Sequence, residues 1–231
     1  ERVLPLPLDV TRESDAILAV EAAIARFGRI DVLVNNAGYG LLGAFEEIEP
    51  AEIEQQFATN VFGAFNVLRA VLPVMRRQQS GHVFSISSVG GIVGFAGGSV
   101  YCASKFALEG LSESLAAELA DFGVRMTIVE PGFIRTDFLD SSSVRYGTRA
   151  VEGYGEHSAA MRRVYEEKNH AQDGDAAKLA VALVQLADAK QPPLRWAAGS
   201  DAVAFIAGKL ETARGELEQW RALSVSTDRS A

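Results

Sequence analysis

Strand-like apolar runs alternate with segments of helical periodicity along most of the chain. Ile17, Val20, Ile24 and Phe27 recur at spacings of three and four, which predicts an amphipathic helix over 14–27 that stops at Gly28. Such alternation is typical of parallel strands joined by right-handed helical crossovers. The predicted strands are 3–8, 30–34, 83–87, 124–130 and 194–198, and the predicted helices are 14–27, 50–77, 101–119, 175–188 and 201–223.

The segment 139–174 interrupts this pattern. Its composition is polar, with one helical stretch near 159–168. A long insertion after the carboxyl end of a strand usually covers a functional site. We therefore expect a single α/β domain over 1–231, with an insertion at about 139–174 that covers the site and its substrate.

Composition limits the classes of partner. The 231 residues are 48% hydrophobic and 23% charged, which suffices for one substantial core. The net charge of −8 argues against binding to nucleic acid or to an anionic membrane. No apolar run approaches the roughly 18 residues that cross a bilayer, so no membrane partner is expected.

The few cysteines and histidines limit the chemistry further. Cys102 is the single cysteine, so no internal disulfide can form, and a cytoplasmic location is expected. His82, His157 and His170 are scattered, without a carboxylate or cysteine partner at ligand spacing. No metal site is therefore expected.

Tyr101 and Lys105 lie four residues apart in a predicted helix, so their side chains share one face. A cation beside a phenol favours the phenolate, and we expect Lys105 to lower the pKa of Tyr101 from its usual value of about 10. Such a tyrosine is suited to general acid and base catalysis. The same spacing arises by chance in many helices, so the pair gains meaning only from its surroundings.

Polar residues and turn motifs follow the predicted strands. Asp9 closes the first strand, Asn-Asn-Ala-Gly at 35–38 the second, Ser88 the third, and Pro-Gly-Phe-Ile-Arg-Thr at 131–136 the fourth. The carboxyl ends of parallel strands form the edge at which doubly wound sheets bind their ligands. These motifs are therefore candidates for one binding site.

Three of the candidates have simpler interpretations. Ser88 lies thirteen residues before Tyr101, but Ser87 is a rival, and either serine could cap a strand end. Asp9 could form a turn or cap a helix. Asn60 lies within a predicted helix, where it could be an exposed asparagine.

Together, the motifs resemble the short-chain dehydrogenase/reductase family over nearly the whole chain, in that family's order and spacing. The resemblance implies a Rossmann-type doubly wound parallel sheet in three α/β/α layers. It also implies an oxidoreductase that transfers a hydride between NADP or NAD and an alcohol or carbonyl substrate. The alternative is a catalytically silent, dinucleotide-binding regulatory protein of the same fold.

The resemblance implies a catalytic set of Asn60, Ser88, Tyr101 and Lys105. Hydride transfer to a carbonyl builds negative charge on its oxygen, which must be stabilised and protonated. In the family, the tyrosine exchanges the proton and the serine holds the oxygen. The lysine binds the nicotinamide ribose, and the asparagine holds a water that relays protons to the lysine.

A wider set of residues is implied in cofactor binding. The motif at 35–38 would shape the floor of the adenosine site, Asp9 would contact the adenine, and 131–136 would meet the nicotinamide. The implied cofactor-binding residues are Asp9, Asn35, Ala37, Gly38, Tyr101, Lys105, Pro131, Gly132, Ile134 and Thr136.

The chain departs from the family at its beginning. Family members carry a glycine-rich turn for the pyrophosphate ahead of the Asp9 strand, and this sequence shows none. We expect the first βαβ unit to be missing or not visible, and with it the residue that selects the cofactor. The stretches 194–202 and 220–228 resemble bacterial members and favour NADP over NAD. The resemblance also implies a homodimer or homotetramer formed through helices 50–77 and 101–121.

Overall fold

Helices and strands alternate in the computed structural model, which describes residues 2–229. The helices are α1 Glu13–Phe27, α2 Pro50–Phe57, α3 Gly63–Gln78, α4 Ser99–Leu119, α5 Gly155–Lys168, α6 Ala176–Asp188 and α7 Ser200–Val225. The strands are β1 Val32–Asn35, β2 Gly40–Leu42, β3 Gly81–Ile86, β4 Val124–Pro131, β5 Ile134–Arg135, β6 Val144–Tyr146, β7 Gly174–Asp175 and β8 Arg195–Ala198. The expected domain of 1–231 also includes Glu1, Ser230 and Ala231, which lie outside the described residues.

Four parallel strands form the central sheet in the order β1-β3-β4-β8. Ile86 pairs with Val129, and Pro131 pairs with Ala198, so the carboxyl ends of β3, β4 and β8 lie at one edge. The pairs β2–β6 and β5–β7 form two short parallel sheets outside it. This edge is where a doubly wound sheet binds its ligands.

Helices cover both faces of the sheet, because successive side chains of a strand point in opposite directions. Val83 of β3 packs with Met75 of α3 and Leu119 of α4 on one face. Phe84, the next residue, packs with Leu183 of α6 on the other face. The predicted three-layer α/β/α architecture is confirmed.

The strand predicted over 3–8 is absent. Val3 and Leu8 are exposed, and the segment pairs with none of the described strands. Pro5 and Pro7 have no N–H group, so each removes one hydrogen-bond donor from the segment. The apolar alternation therefore does not produce a strand here, because a strand also needs a partner with free donors and acceptors.

β1 is less buried than its continuous apolar run predicted. Leu33 packs into the core with α1 and α3, but Val32 and Val34 remain exposed on the opposite face. β3 is the one described strand beside β1, so β1 is an edge strand. The apolar run identified a strand of a parallel sheet but not its place at the edge.

The helix predicted over 50–77 is present as a continuous helical stretch, Pro50–Gln78. A π-helical turn at Ala58–Phe62 interrupts it, and such turns are frequent at functional sites. By length and composition this stretch could cross a membrane, so the expectation that no run approaches that length was wrong. Buried core helices pass the same test, and here Leu68 and Met75 lie in the core.

Candidate active site

A cavity of about 430 Å³ opens at the carboxyl ends of β3 and β4. The predicted site residues that line it are Gly38, Ser88, Tyr101, Lys105, Pro131, Gly132, Ile134 and Thr136. From the insertion over 139–174 come Leu139, Ser143, Tyr165 and Gln172. The fold therefore gathers the strand-end motifs, the start of α4 and the insertion around one space.

Tyr101 is packed into the wall of this cavity, with 7% of its surface exposed. The ring of Phe138 lies 5.9 Å from its ring, between centroids. The loop after β3 passes so close that a Cβ at Gly90 would lie 3.2 Å from Cε1 of Tyr101. Glycine permits this approach, and the packing on both sides restricts the phenol to one orientation.

Burial raises the pKa of Tyr101 to about 12, and its interaction with the Ser88 side chain offsets this effect only in part. The expectation that Lys105 lowers the pKa of Tyr101 is therefore wrong for this structure. A phenolate loses its hydration in the buried site, and that loss outweighs the nearby favourable interactions. Tyr101 consequently holds its proton at neutral pH.

Lys105 is also buried, with 6% of its surface exposed. Its Nζ donates a hydrogen bond to the carbonyl of Ile86 (2.8 Å) and lies 5.9 Å from the centre of the Tyr101 ring. Burial lowers the pKa of Lys105 to about 8, while Glu109 acts in the opposite direction. An ammonium group has three donors, so Lys105 retains donors for a molecule in the cavity.

Asn60 lies behind the cavity wall. Its Nδ2 donates to the carbonyl of Tyr39 (3.0 Å) and to Oγ of Ser104 (3.2 Å), and its Oδ1 accepts from the N–H of Tyr39 (3.0 Å). Ser104 in turn donates to the carbonyl of Tyr101 (2.7 Å). Asn60 is buried, so the alternative of an exposed helix asparagine is wrong. Its side chain joins the loop after β1 to α4.

Three predicted cofactor residues lie outside the cavity wall. Asp9 is exposed, and its carboxylate accepts hydrogen bonds from the N–H (3.0 Å) and hydroxyl (2.7 Å) of Thr11, as a turn-forming aspartate would. Asn35 is buried and donates to the carbonyl of Ala64 (3.1 Å). Ala37 is exposed. Their contacts with an adenosine group stay predictions.

Asp201, near the start of α7, fixes the loop that follows β4. Its Oδ2 accepts a hydrogen bond from the N–H of Phe133 (2.7 Å), and a Cβ at Gly132 would collide with its carboxylate. The N–H of Ile134 donates to the carbonyl of Gly132 (3.1 Å). Asp201 was not among the predicted site residues, because its partners lie some 70 residues earlier in the chain.

A buried ionic cluster lies one helical turn beyond Lys105. The guanidinium of Arg195 in β8 contacts the carboxylates of Glu109, Glu113 (2.7 Å) and Glu130 (3.2 Å). Glu109 is 3% exposed, and burial raises its pKa to about 7. This cluster was not predicted from the sequence, although Glu109 follows Lys105 by four residues and so shares its helix face.

Within residues 2–229, one group of potential metal ligands comes together. Ligand atoms of Asp137, Asp140 and His170 lie within 4.8 Å of one another. Nε2 of His170 is 3.0 Å from Oδ1 of Asp140, so the expectation that His170 lacks a carboxylate partner was wrong. Asp137 and His170 are exposed, and such surface groups are common without a metal ion.

Comparisons with known proteins agree with this geometry. The family model described as short chain dehydrogenase matches residues 1–146. An oxidoreductase of Botryotinia fuckeliana, BOA17, is 38% identical over 227 residues, which cover 98% of this chain and 82% of that protein. The chain therefore belongs to the short-chain dehydrogenase/reductase family and is an oxidoreductase of that family.

Solved structures support the same assignment. A short-chain dehydrogenase from Streptomyces avermitilis is 42% identical, with a TM-score of 0.87 over 96% of this chain and 81% of that chain. A gluconate 5-dehydrogenase from Burkholderia cenocepacia J2315, in complex with NADP and tartrate, is 29% identical. Its TM-score is 0.56, over 58% of this chain and 52% of that chain.

Replacing Arg195 tests the buried ionic cluster. Arg195→Met should lower the free energy of unfolding by about 3 kcal/mol, because Glu109 and Glu130 lose their counter-ion in a site largely hidden from water. Urea unfolding measures the loss. Arg69→Met is the matched control, since Arg69 pairs with Glu13 (2.7 Å) at the solvent-exposed surface, where the loss of an ion pair should have a clearly smaller effect. Equal losses in the two variants would contradict the proposed energetic role of the cluster.

The raised pKa of Glu109 predicts a pH dependence of stability. The folded protein holds this proton up to about pH 7, whereas the unfolded chain releases it near 4.5. The folded state therefore binds more protons between these values, and stability falls as the pH rises through this window.

The free energy of unfolding of the wild type, relative to that of Glu109→Gln, should fall over the same window. A pH-independent difference between wild type and Glu109→Gln would contradict the raised pKa.

Proposed function

We propose that the protein transfers a hydride between a nicotinamide cofactor and an alcohol or carbonyl substrate, with Tyr101 as the general acid and base. The observation that carries this proposal is the convergence of Ser88, Tyr101 and Lys105 on one cavity wall, with Asn60 bound behind it. These are the residues for which the family resemblance implied catalysis. They come from the loop after β3, from α4 and from the π-helical turn, and the fold brings these three parts of the chain together.

The hydrogen-bond donors that line the cavity suit a nicotinamide cofactor. The buried ammonium of Lys105 retains donors suited to ribose hydroxyls, and the loop at 131–136 lines the same space. When bound, the cofactor supplies or accepts the hydride. The related gluconate 5-dehydrogenase was solved with NADP, and the resemblance of 194–202 and 220–228 to bacterial members favours NADP over NAD for this chain.

The protein's own groups supply the proton and stabilise the charge. Tyr101 carries its proton at neutral pH, and it can donate this proton to an oxygen that becomes negative in reduction. Ser88 lies beside it on the cavity wall and holds that oxygen. Lys105 remains mainly protonated below about pH 8, and its charge favours transfer of the proton from Tyr101.

The cavity favours an apolar substrate of medium size. Its wall includes apolar and aromatic side chains from the loops beside Tyr101, from the insertion and from α6: Phe95, Phe138, Leu139, Tyr165 and Leu179. Gln172 is a buried polar exception. Such walls select mainly by apolar contact, and a few polar groups fix the orientation of the ligand.

A small-molecule alcohol or carbonyl is the proposed partner, with neither nucleic acid nor membrane. The proposed assembly is a homodimer or homotetramer through the helices at 50–77 and 101–121. The exposed rings of Phe62 and Phe106 on these helices support it, because exposed aromatic side chains are enriched at interfaces. The proposed location is the cytoplasm.

Substitution of Tyr101 tests the catalytic proposal. Tyr101→Phe should reduce turnover at least about 100-fold, because the proton donor is lost, while affinity for the nicotinamide cofactor stays nearly unchanged. Turnover on a panel of ketones and alcohols and cofactor titration by fluorescence measure the two effects. Tyr165→Phe, a second phenol of the cavity wall, is the control and should retain most of the activity.

Two results would contradict the proposed catalysis. The first is unchanged turnover of Tyr101→Phe. The second is cofactor binding by the wild type without reduction or oxidation of any substrate in the panel, which would favour the silent regulatory alternative.

Leu139 tests the proposed substrate class. Leu139→Asn keeps the side chain's size but makes the cavity wall polar, so kcat/KM for a long-chain ketone should fall about tenfold. The kcat/KM for a short ketone such as acetone should change less, because so small a molecule leaves most of the cavity wall uncovered. Ser143→Ala, at another position of the same wall, is the control. Equal losses for both ketones in Leu139→Asn would contradict an apolar substrate.

A further inference from the structure

α7 projects from the fold with little to support it. Of its residues Ser200–Val225, Ala202 is the single buried one, and residues 207–225 are all exposed. Isolated helices are marginal in water, and most helical stability in proteins comes from packing. Gly208 and Gly215 weaken the intrinsic helix further. A second surface that packs on α7 would supply the missing stabilisation.

One face of α7 carries a continuous apolar line. The spacing along it alternates between three and four residues, as in the a and d positions of a coiled coil. We call this line the α7 seam, and it consists of Val203, Ile206, Leu210, Ala213, Leu217 and Trp220. Leu210, Leu217 and Trp220 are 61%, 61% and 57% exposed. Gly208 and Gly215 fall on the opposite face, where a coiled coil places no contacts.

We propose that the α7 seam pairs with the α7 seam of a second copy of this chain, as an antiparallel two-helix coiled coil about a two-fold axis. In the register that overlaps the whole seam, each layer is a pair of facing residues. Val203 faces the partner's Trp220, Ile206 faces the partner's Leu217, and Leu210 faces the partner's Ala213. The two-fold axis generates each of these layers a second time, with the two copies exchanged. Large residues therefore meet smaller ones in the central and outer layers, which allows the helices to approach closely.

The charges beside the seam select this orientation. Lys209 and Glu216 both occupy the g position, and in an antiparallel pair g faces g. Lys209 therefore faces the partner's Glu216, and the symmetry repeats the attraction. In a parallel pair g faces e, which would set Lys209 against the partner's Arg214, a repulsion, and Glu216 against the partner's Arg221, an attraction. These two pairs offset each other, whereas both pairs of the antiparallel arrangement attract, so the charge pattern favours the antiparallel pair.

This surface is separate from the helices at 50–77 and 101–121. It is also separate from the cavity, so the inference does not depend on the proposed catalysis.

Sedimentation velocity over a range of protein concentrations tests the pairing. Leu210→Asp/Leu217→Asp should lower the association state of the full chain, because two charges enter the seam of each copy. Thr212→Asp/Ala222→Asp adds the same charge away from the seam, and should leave the association state as in the wild type. The interpretation is overturned by a wild type that stays monomeric at every concentration, or by an unchanged association state in the seam variant. Equal dissociation of both variants would also overturn it.

Charge reversal tests the register. Lys209→Glu should weaken association about tenfold, because it converts two attractive pairs into repulsive ones. Lys209→Glu/Glu216→Lys should restore wild-type association, since the pairs are attractive again with exchanged signs. Stronger association of Lys209→Glu would indicate a parallel pair with the partner's Arg214 and would overturn the proposal. Failure of the double variant to recover would overturn the register.

Discussion

Three ionisable side chains buried along one face of α4 are the constraint on which the site depends. Tyr101, Lys105 and Glu109 recur every four residues, and each has under a tenth of its surface exposed. Buried charges are costly unless they are paired or hydrogen-bonded. The carbonyl of Ile86 accepts from Lys105, and Arg195 neutralises part of the acidic cluster around Glu109. The position of α4 against β3 and β8 is thus fixed by polar as well as apolar contacts.

Because α4 is also a core helix, the geometry of the site follows from the packing of the sheet. Leu108 and Leu119 on α4 are buried, and α4 packs against β4, whose carboxyl end forms part of the cavity. The loop after β3 passes close to Tyr101 at Gly90, where a Cβ would lie 3.2 Å from the ring. Asn60 joins the same helix to the loop after β1. A shift of α4 would therefore disturb Tyr101, Lys105 and two strand-end loops together.

Sequence patterns predicted the helices, the central strands and the cavity residues near Tyr101, because local periodicity and turn chemistry determine them. They did not predict the edge exposure of β1 or the unpaired segment at 3–8, since both depend on neighbours in space. Arg195 and Asp201 were missed for the same reason. Each binds groups about 60 or more residues away in the chain, and an isolated arginine or aspartate in a sequence carries no sign of such a partner.

The pKa of Tyr101 shows why spacing alone does not determine chemistry. The four-residue spacing does bring Lys105 near the phenol, with Nζ 5.9 Å from the centre of the ring. Burial, however, penalises both charged forms, since it raises the pKa of Tyr101 and lowers that of Lys105. At neutral pH the result is a protonated phenol beside an ammonium group. Spacing thus places the two groups together, and burial decides which of their charge states the folded protein holds.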